Sequence, residues 1–412
     1  MKKIYLLAVA LAGTLLTSCS DFLDKVPLVV PSSETFLTNQ SAVTNYVNGL
    51  YIALPSAGAY GMGIMGEEKN SDNMVAMVYD RRMNGELQES IGGVTEWQKG
   101  YQNLRSVNYF LEYYKVPAAE ETAEVLSLKG EAYFFRAYWH YYLLTKFGSI
   151  PVMDKFWDGN ATVGGLQIPA RDRSAVAQFI LDDLKAAKEL LYSRSKYQGL
   201  RICKEAAMVM AMRVALFEGT WEKYHKGTDF AAAEYKSDDF LQQVLTLGDE
   251  LFQMGITLNT KENDKSVKNI DDAYGNLFNS KDLSATQEVL FWKKHSIADN
   301  LVHSLNTNFS SGMCDAEGPA GLSQSLVDNY LSVDGNFIDP TAAKLKDFNE
   351  SFNDRDGRLL ATVMHSDCKY KSMTVKGAKK MLVKAYSEED KDLINPPQIV
   401  STGNQSNTCL LY

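Results

Sequence analysis

Cys19 is the residue whose setting fits a covalent modification most closely. Met1-Lys2-Lys3 supplies a positive start, Ile4 to Ala12 an apolar run, and Leu16 with the small Thr17 and Ser18 stands just before the cysteine. Cleavage ahead of Cys19 leaves its thiol to carry lipid, so this leader reads as a bacterial lipoprotein export signal. The rivals are an ordinary secretory leader with a chance cysteine, or a membrane anchor. The run falls short of the roughly 20 apolar residues a spanning helix needs. One acyl chain anchors only marginally, whereas several hold firmly.

Other constellations offer less. Gly61-Met62-Gly63-Ile64-Met65-Gly66 fits the dinucleotide pattern, but Pro55 and Gly58 stand where a strand should precede it. Polar Glu67-Glu68-Lys69-Asn70 stands where a helix should follow, so a flexible loop is expected. The five histidines lack the spacing of a metal helix. His140 lies in an aromatic stretch and reads as core, while His295, His303, Cys314 and Asp315 share one loop without a ligand pattern. Asp334, Asn336 and Asp339 suit calcium by type but read as turn chemistry. Glycoside hydrolysis needs two carboxylates across a cleft. Glu67, Glu68 and Asp72 are candidates by type only, and no G-x-S-x-G elbow is present. No catalytic residue, cofactor or metal site is assigned.

The chain has 412 residues, of which 394 follow Ser18, enough for one large core or two smaller ones. Net charge is −9 with no basic run, which argues against a nucleic-acid partner. Cys203, Cys314, Cys368 and Cys409 are too widely spaced for a zinc ribbon. They read as free or buried thiols, and one disulfide is compatible with export.

The elements that must position these residues are mainly helical. Residues 19–40 read as an extended tether broken by Pro27 and Pro31. Val43, Tyr46, Val47, Leu50 and Tyr51 mark a helix over Ser41–Leu54. Further helices are expected over Trp97–Tyr114, Glu120–Phe147, Ser174 (as cap) to about Leu191, Lys204–Trp221 and Asp238–Phe252. The stretch Ala132 to Tyr142 is apolar almost all round, as in a helix wrapped by neighbours. Residues 56–95, 256–285 and 295–320 read as loops, Glu288–Trp292 as a short strand, Ser323–Leu331 as a short helix, and the remainder as irregular. Glu131-Ala132 with Ala137 recurs 74 positions later as Glu205-Ala206 with Ala211. That offset is near two tetratricopeptide units of roughly 34 residues plus a loop. The expectation is a degenerate helical-pair array with long loops and a few short strands, organised as 1–18 leader, 19–40 tether, 41–255 helical region and 256–412 loop-rich region.

At this point the chain resembles a known family. Cys19-Ser20-Asp21-Phe22-Leu23-Asp24-Lys25-Val26-Pro27 is similar to the mature start of SusD/RagB lipoproteins. So are Gly130 to Tyr138 followed by Lys146-Phe147-Gly148-Ser149-Ile150-Pro151-Val152, and the alanine-rich Lys204 to Leu216. Leu326 to Tyr330 with Asp334-Gly335, and Arg355-Asp356-Gly357-Arg358-Leu359, resemble its C-terminal landmarks, with Gly357 where the family usually has proline. The resemblance implies a tetratricopeptide-like scaffold and no catalysis. It also implies lipid attachment to the outer face of the outer membrane, and pairing with a SusC-like TonB-dependent transporter. The implied role is capture of oligosaccharide for that transporter; a peptide ligand, or a surface adhesin with no small ligand, are the alternatives. Family members usually continue with a further helical stretch, whereas this sequence stops at Tyr412, so its end reads as incomplete.

A glycan site needs flat aromatic rings for apolar sugar faces and planar polar groups for hydroxyls. Loops offer both. Asp72, Asn73, Arg81 and Trp97 form one candidate set; Trp292, Asn308 and Phe309, with His295 and Asn306 nearby, form another. Each has a plain alternative: Trp97 can begin a helix core, and Arg81 can be a solvated charge.

Overall fold

A computed structural model describes residues 36–55, 71–76, 85–86, 95–157, 168–260, 270–280, 282–296, 298, 320–339, 354–362 and 408–409. The leader, Cys19 and most of the tether lie outside these residues. Nine α-helices are found among them: α1 Gln40–Leu50, α2 Thr95–Tyr113, α3 Ala123–Phe147, α4 Arg173–Leu190, α5 Lys204–His225, α6 Ser237–Gln253, α7 Ile270–Asn279, α8 Gln324–Asn329 and α9 Gly357–Thr362. Three short strands, β1 Met74–Ala76, β2 Ala320–Leu322 and β3 Thr408–Cys409, form an antiparallel sheet in the order β1-β2-β3. Met74 faces Leu322, and Gly321 faces Cys409, so this sheet joins the two halves of the chain.

The helices begin where side chains can take the first free backbone N–H groups. Asn39 accepts from the N–H of Ala42, Thr122 from Val125 and Ser323 from Leu326. Helix α4 is capped by Asp172, which accepts from Ser174 N–H at 3.1 Å, so the expected cap at Ser174 is corrected by two residues. Helix α3 ends at Gly148, whose φ of 70° a residue with a Cβ would resist.

Consecutive helices pack in sequence, α2 on α3, α3 on α4, α4 on α5 and α5 on α6. Close approach is set by glycine: a Cβ on Gly100 would meet Leu143 at 2.5 Å, and one on Gly130 would meet Leu190 at 3.0 Å. Helix α3 is the centre of the array, with Phe135, Trp139, Leu143 and Leu144 buried.

Buried ion pairs fasten the helices to one another. Arg136 on α3 grips Asp183 on α4 with two bonds of 2.6 and 2.7 Å. Glu131 on α3 accepts from Arg201 at 2.7 and 2.8 Å and from the Tyr51 hydroxyl at 2.8 Å. Burial opposes the Arg201 charge, but the Glu131 carboxylate outweighs this and holds the guanidinium above its ordinary range. Its counterpart 74 positions on, Glu205, accepts from the backbone N–H of Arg194 at 2.8 Å. Both members of the sequence repeat are thus buried carboxylates that fasten the segment just ahead of α5.

The segment after α3 is pinned by four polar side chains. Tyr101 donates to Pro151 O, Asn108 to Met153 O and Arg136 to Asp154 O. His140 Nδ1 lies 2.9 Å from Arg136 O, and its Nε2 accepts from Met153 N–H at 3.1 Å. A carbonyl requires a proton on Nδ1 and an N–H requires a lone pair on Nε2, so this histidine is neutral. Burial pushes its pKa down to about 3.

Four further expectations are corrected. Residues 288–292 are not a strand: the carbonyls of Leu283, Ser284, Thr286 and Val289 instead curl around the Arg194 guanidinium. Helix α7 lies within the expected 256–285 loop, and α9 within the stretch expected to be irregular. Helix α5 runs one turn beyond Trp221, to His225. Asp334 to Asn336 do form a turn, with Gly335 N–H donating to Ser332 O and φ at Gly335 of 79°. Arg355 ties the two C-terminal landmarks together by donating to Val327 O and Tyr330 O.

Candidate functional site

The sequence-predicted residues fall in separate places. Asp72 and Asn73 form the turn ahead of β1. The carbonyl of Asp72 accepts from the Ser323 and Ser325 hydroxyls, and that of Asn73 from Ser323 N–H at 2.9 Å. The turn is therefore clamped to the start of α8, with Asp72 exposed. Trp97, 37% exposed, lies against Tyr101 at 4.7 Å and Phe147 at 5.1 Å between ring centroids. Trp292 is 9% exposed and donates its Nε1–H to Gln198 O, plugging the turn at Gly199. Arg81, Asn308 and Phe309, with His303, Cys314 and Asp315, lie outside the described residues. Groups of acidic, histidine and cysteine side chains able to hold a metal ion are absent among the described residues.

A cleft of about 390 Å³ opens where α3 and α5 end. On one side are Phe147, Gly148 and Ser149, which follow from the turn that stops α3. On the other is an aromatic column: Phe217, Trp221 and His225 recur every four residues along one face of α5. His225 stacks on Trp221 at 4.0 Å with an interplanar angle of 11°. The Arg173 guanidinium sits 3.9 Å from the Trp221 ring centroid. Two groups so close cannot share one face, so Trp221 is held between them. Its Nε1–H donates to Phe230 O at 3.0 Å, folding the loop after α5 over the column. Ala233 N–H donates to Asp172 at 2.9 Å and fastens that loop to the start of α4.

Arg173 is the polar centre of the cleft. Its Nε and Nη2 donate to the two oxygens of Glu218 at 2.7 and 2.9 Å, and the side chains are 7% and 0% exposed. Behind it, Glu222 accepts from Lys236 N–H, and burial raises its carboxyl above the ordinary range. The sequence signal for this cleft was the four-residue aromatic spacing on α5, but ending that helix at Trp221 hid His225 and the loop beyond.

Residues 21–216 match a family model described as SusD-like, starch-binding and associating with outer membrane, and residues 287–412 match the SusD family model. The chain belongs to the SusD/RagB family. Among its relatives, SusD-like protein P25 of Formosa agariphila is 23% identical over 223 residues, covering 50% of this chain and 41% of that one. A SusD-like protein of Bacteroides fragilis superposes with a TM-score of 0.58 at 21% identity, over 84% of this chain and 64% of the other. A SusD-like carbohydrate-binding protein of the same species gives 0.61 at 17% identity, over 82% and 62%. The chain thus spans less than two thirds of the length of each of these SusD-like relatives. The structural likeness establishes the SusD-like helical scaffold. Among the described residues of this family member, no helix is long and apolar enough to cross a membrane.

Proposed function

We propose that this SusD/RagB-family chain captures oligosaccharide at the cell surface and delivers it to a SusC-like TonB-dependent transporter. Lipid on Cys19 holds it to the outer membrane, facing the exterior. The observation that carries this reading is the pair of family matches at the two ends of one chain, the first described as starch-binding and associating with outer membrane. The carbohydrate-binding description of a relative with a TM-score of 0.61 supports it. We assign no catalytic step: the sequence holds no nucleophile elbow and marks no carboxylate pair by its pattern. We retain Asp72, Asn73, Arg81, Trp97, Asn308 and Phe309 as proposed ligand contacts. Trp292, which packs against Gly199, is retained as a proposed contact with them.

The test is recovery of the affinity-tagged full chain from membranes of its native host grown with labelled palmitate. The reading predicts labelled chain in company with a TonB-dependent channel. Unlabelled chain, or chain recovered with a host adhesion target and no channel, overturns it.

A further inference from the structure

We propose that the cleft between the ends of α3 and α5 binds a neutral saccharide unit, apart from the loop residues assigned above; this rests on the glycan reading. The observation behind it is a donor at the cleft wall that Glu218 leaves over. Arg173 is more than nine-tenths buried, and Glu218 occupies only its Nε and Nη2. Its Nη1 makes no hydrogen bond among the described residues and borders the cleft beside Gly148. A Cβ at Gly148 would stand 3.7 Å from that nitrogen, so glycine leaves open the space in front of the donor.

The rest of the cleft selects the ligand class. The charge on Arg173 is already matched by Glu218. Asp229 and Lys146, of opposite charge, both line the opening, and α3 and α5 end beside it. A lining with no net charge offers a phosphate or a carboxylate no surplus cation. It suits hydroxyl groups, which donate to Asp229 and to helix-end carbonyls while accepting from Arg173 Nη1. Phe230 is 67% exposed and gives the apolar face of a sugar ring somewhere to lie. The volume, about 390 Å³, falls in the small-ligand range of about 300–1,000 Å³.

The experiment is calorimetric titration of the full chain with neutral oligosaccharides of glucose, galactose, mannose and xylose, and with inorganic phosphate and a neutral tetrapeptide for comparison. Phe230→Ala and Asp229→Asn are titrated alongside; both positions are exposed, so the fold is retained. The proposal predicts that a saccharide binds and that Phe230→Ala weakens it about tenfold. Saccharide binding that neither variant changes overturns the cleft site and leaves the glycan reading standing. A chain that binds no saccharide, or only phosphate or peptide, overturns both.

Discussion

Acidification should destabilise this protein through His140 in a way that one substitution removes. His140 is fully buried, and both ring nitrogens are committed: Nδ1–H to Arg136 O, Nε2 to Met153 N–H. Burial holds its folded pKa at about 3, against 6.5 for an ordinary histidine. The unfolded chain therefore takes up a proton below pH 6.5 while the folded chain does not. The stability tied to neutral His140 is complete above 6.5 and is lost as pH falls toward 3. The slope is about 1.4 kcal/mol per pH unit, so about 2 kcal/mol is lost between pH 6.5 and 5. Other groups act in the opposite sense. Burial raises the carboxyls of Glu131, Asp183 and Glu222, which favours folding as pH falls. The contribution is therefore read as a difference between wild type and His140→Gln, which keeps a donor and an acceptor but does not titrate. Urea unfolding of both at pH 7.5, 6.5, 5.5 and 5 gives that difference. Two profiles that converge below pH 6.5 by about 1.4 kcal/mol per unit are expected. Parallel profiles over the whole range would refute the assignment of a buried neutral ring.

Three further outcomes follow from the packing. Glu131→Ala should cost about 3–5 kcal/mol by leaving Arg201 unpaired, whereas Glu131→Leu with Arg201→Met should recover most of that in urea unfolding. Gly219→Ala should cost about 1–3 kcal/mol, since its Cβ would meet Leu241 at 2.9 Å and Ser237 O at 3.1 Å; an unchanged urea midpoint would contradict this. Cys203 is buried and its thiol is pushed up to about 12, so a maleimide should label it only in step with unfolding, as followed by mass spectrometry.

Much of the scaffold was legible because helices α1 to α6 carry apolar residues at three-four spacing, and this survives any detail of packing. What escaped notice depends on partners distant in sequence. Helix α9 has six residues and α7 ten, too little for a clear period, and α7 is held by α9 across the intervening chain. The run Glu288–Trp292 reads as a strand, yet Arg194, some 95 positions earlier, takes Val289 O and bends the chain. The 74-residue recurrence of Glu131 and Glu205 was visible, but not that both fasten the segment before α5. Of the site, Trp97 emerges partly exposed beside Phe147, a residue that lines the cleft. Arg173 drew no attention because nothing local marks an arginine whose carboxylate partner lies 45 positions away.

The central claim, that the chain is a glycan receptor, is met most directly by native electrophoresis of the full protein through gels containing single polysaccharides. The account predicts marked retardation by at least one polysaccharide, relieved by its free oligosaccharide. Mobility equal to that of a non-binding reference protein in every gel would contradict it.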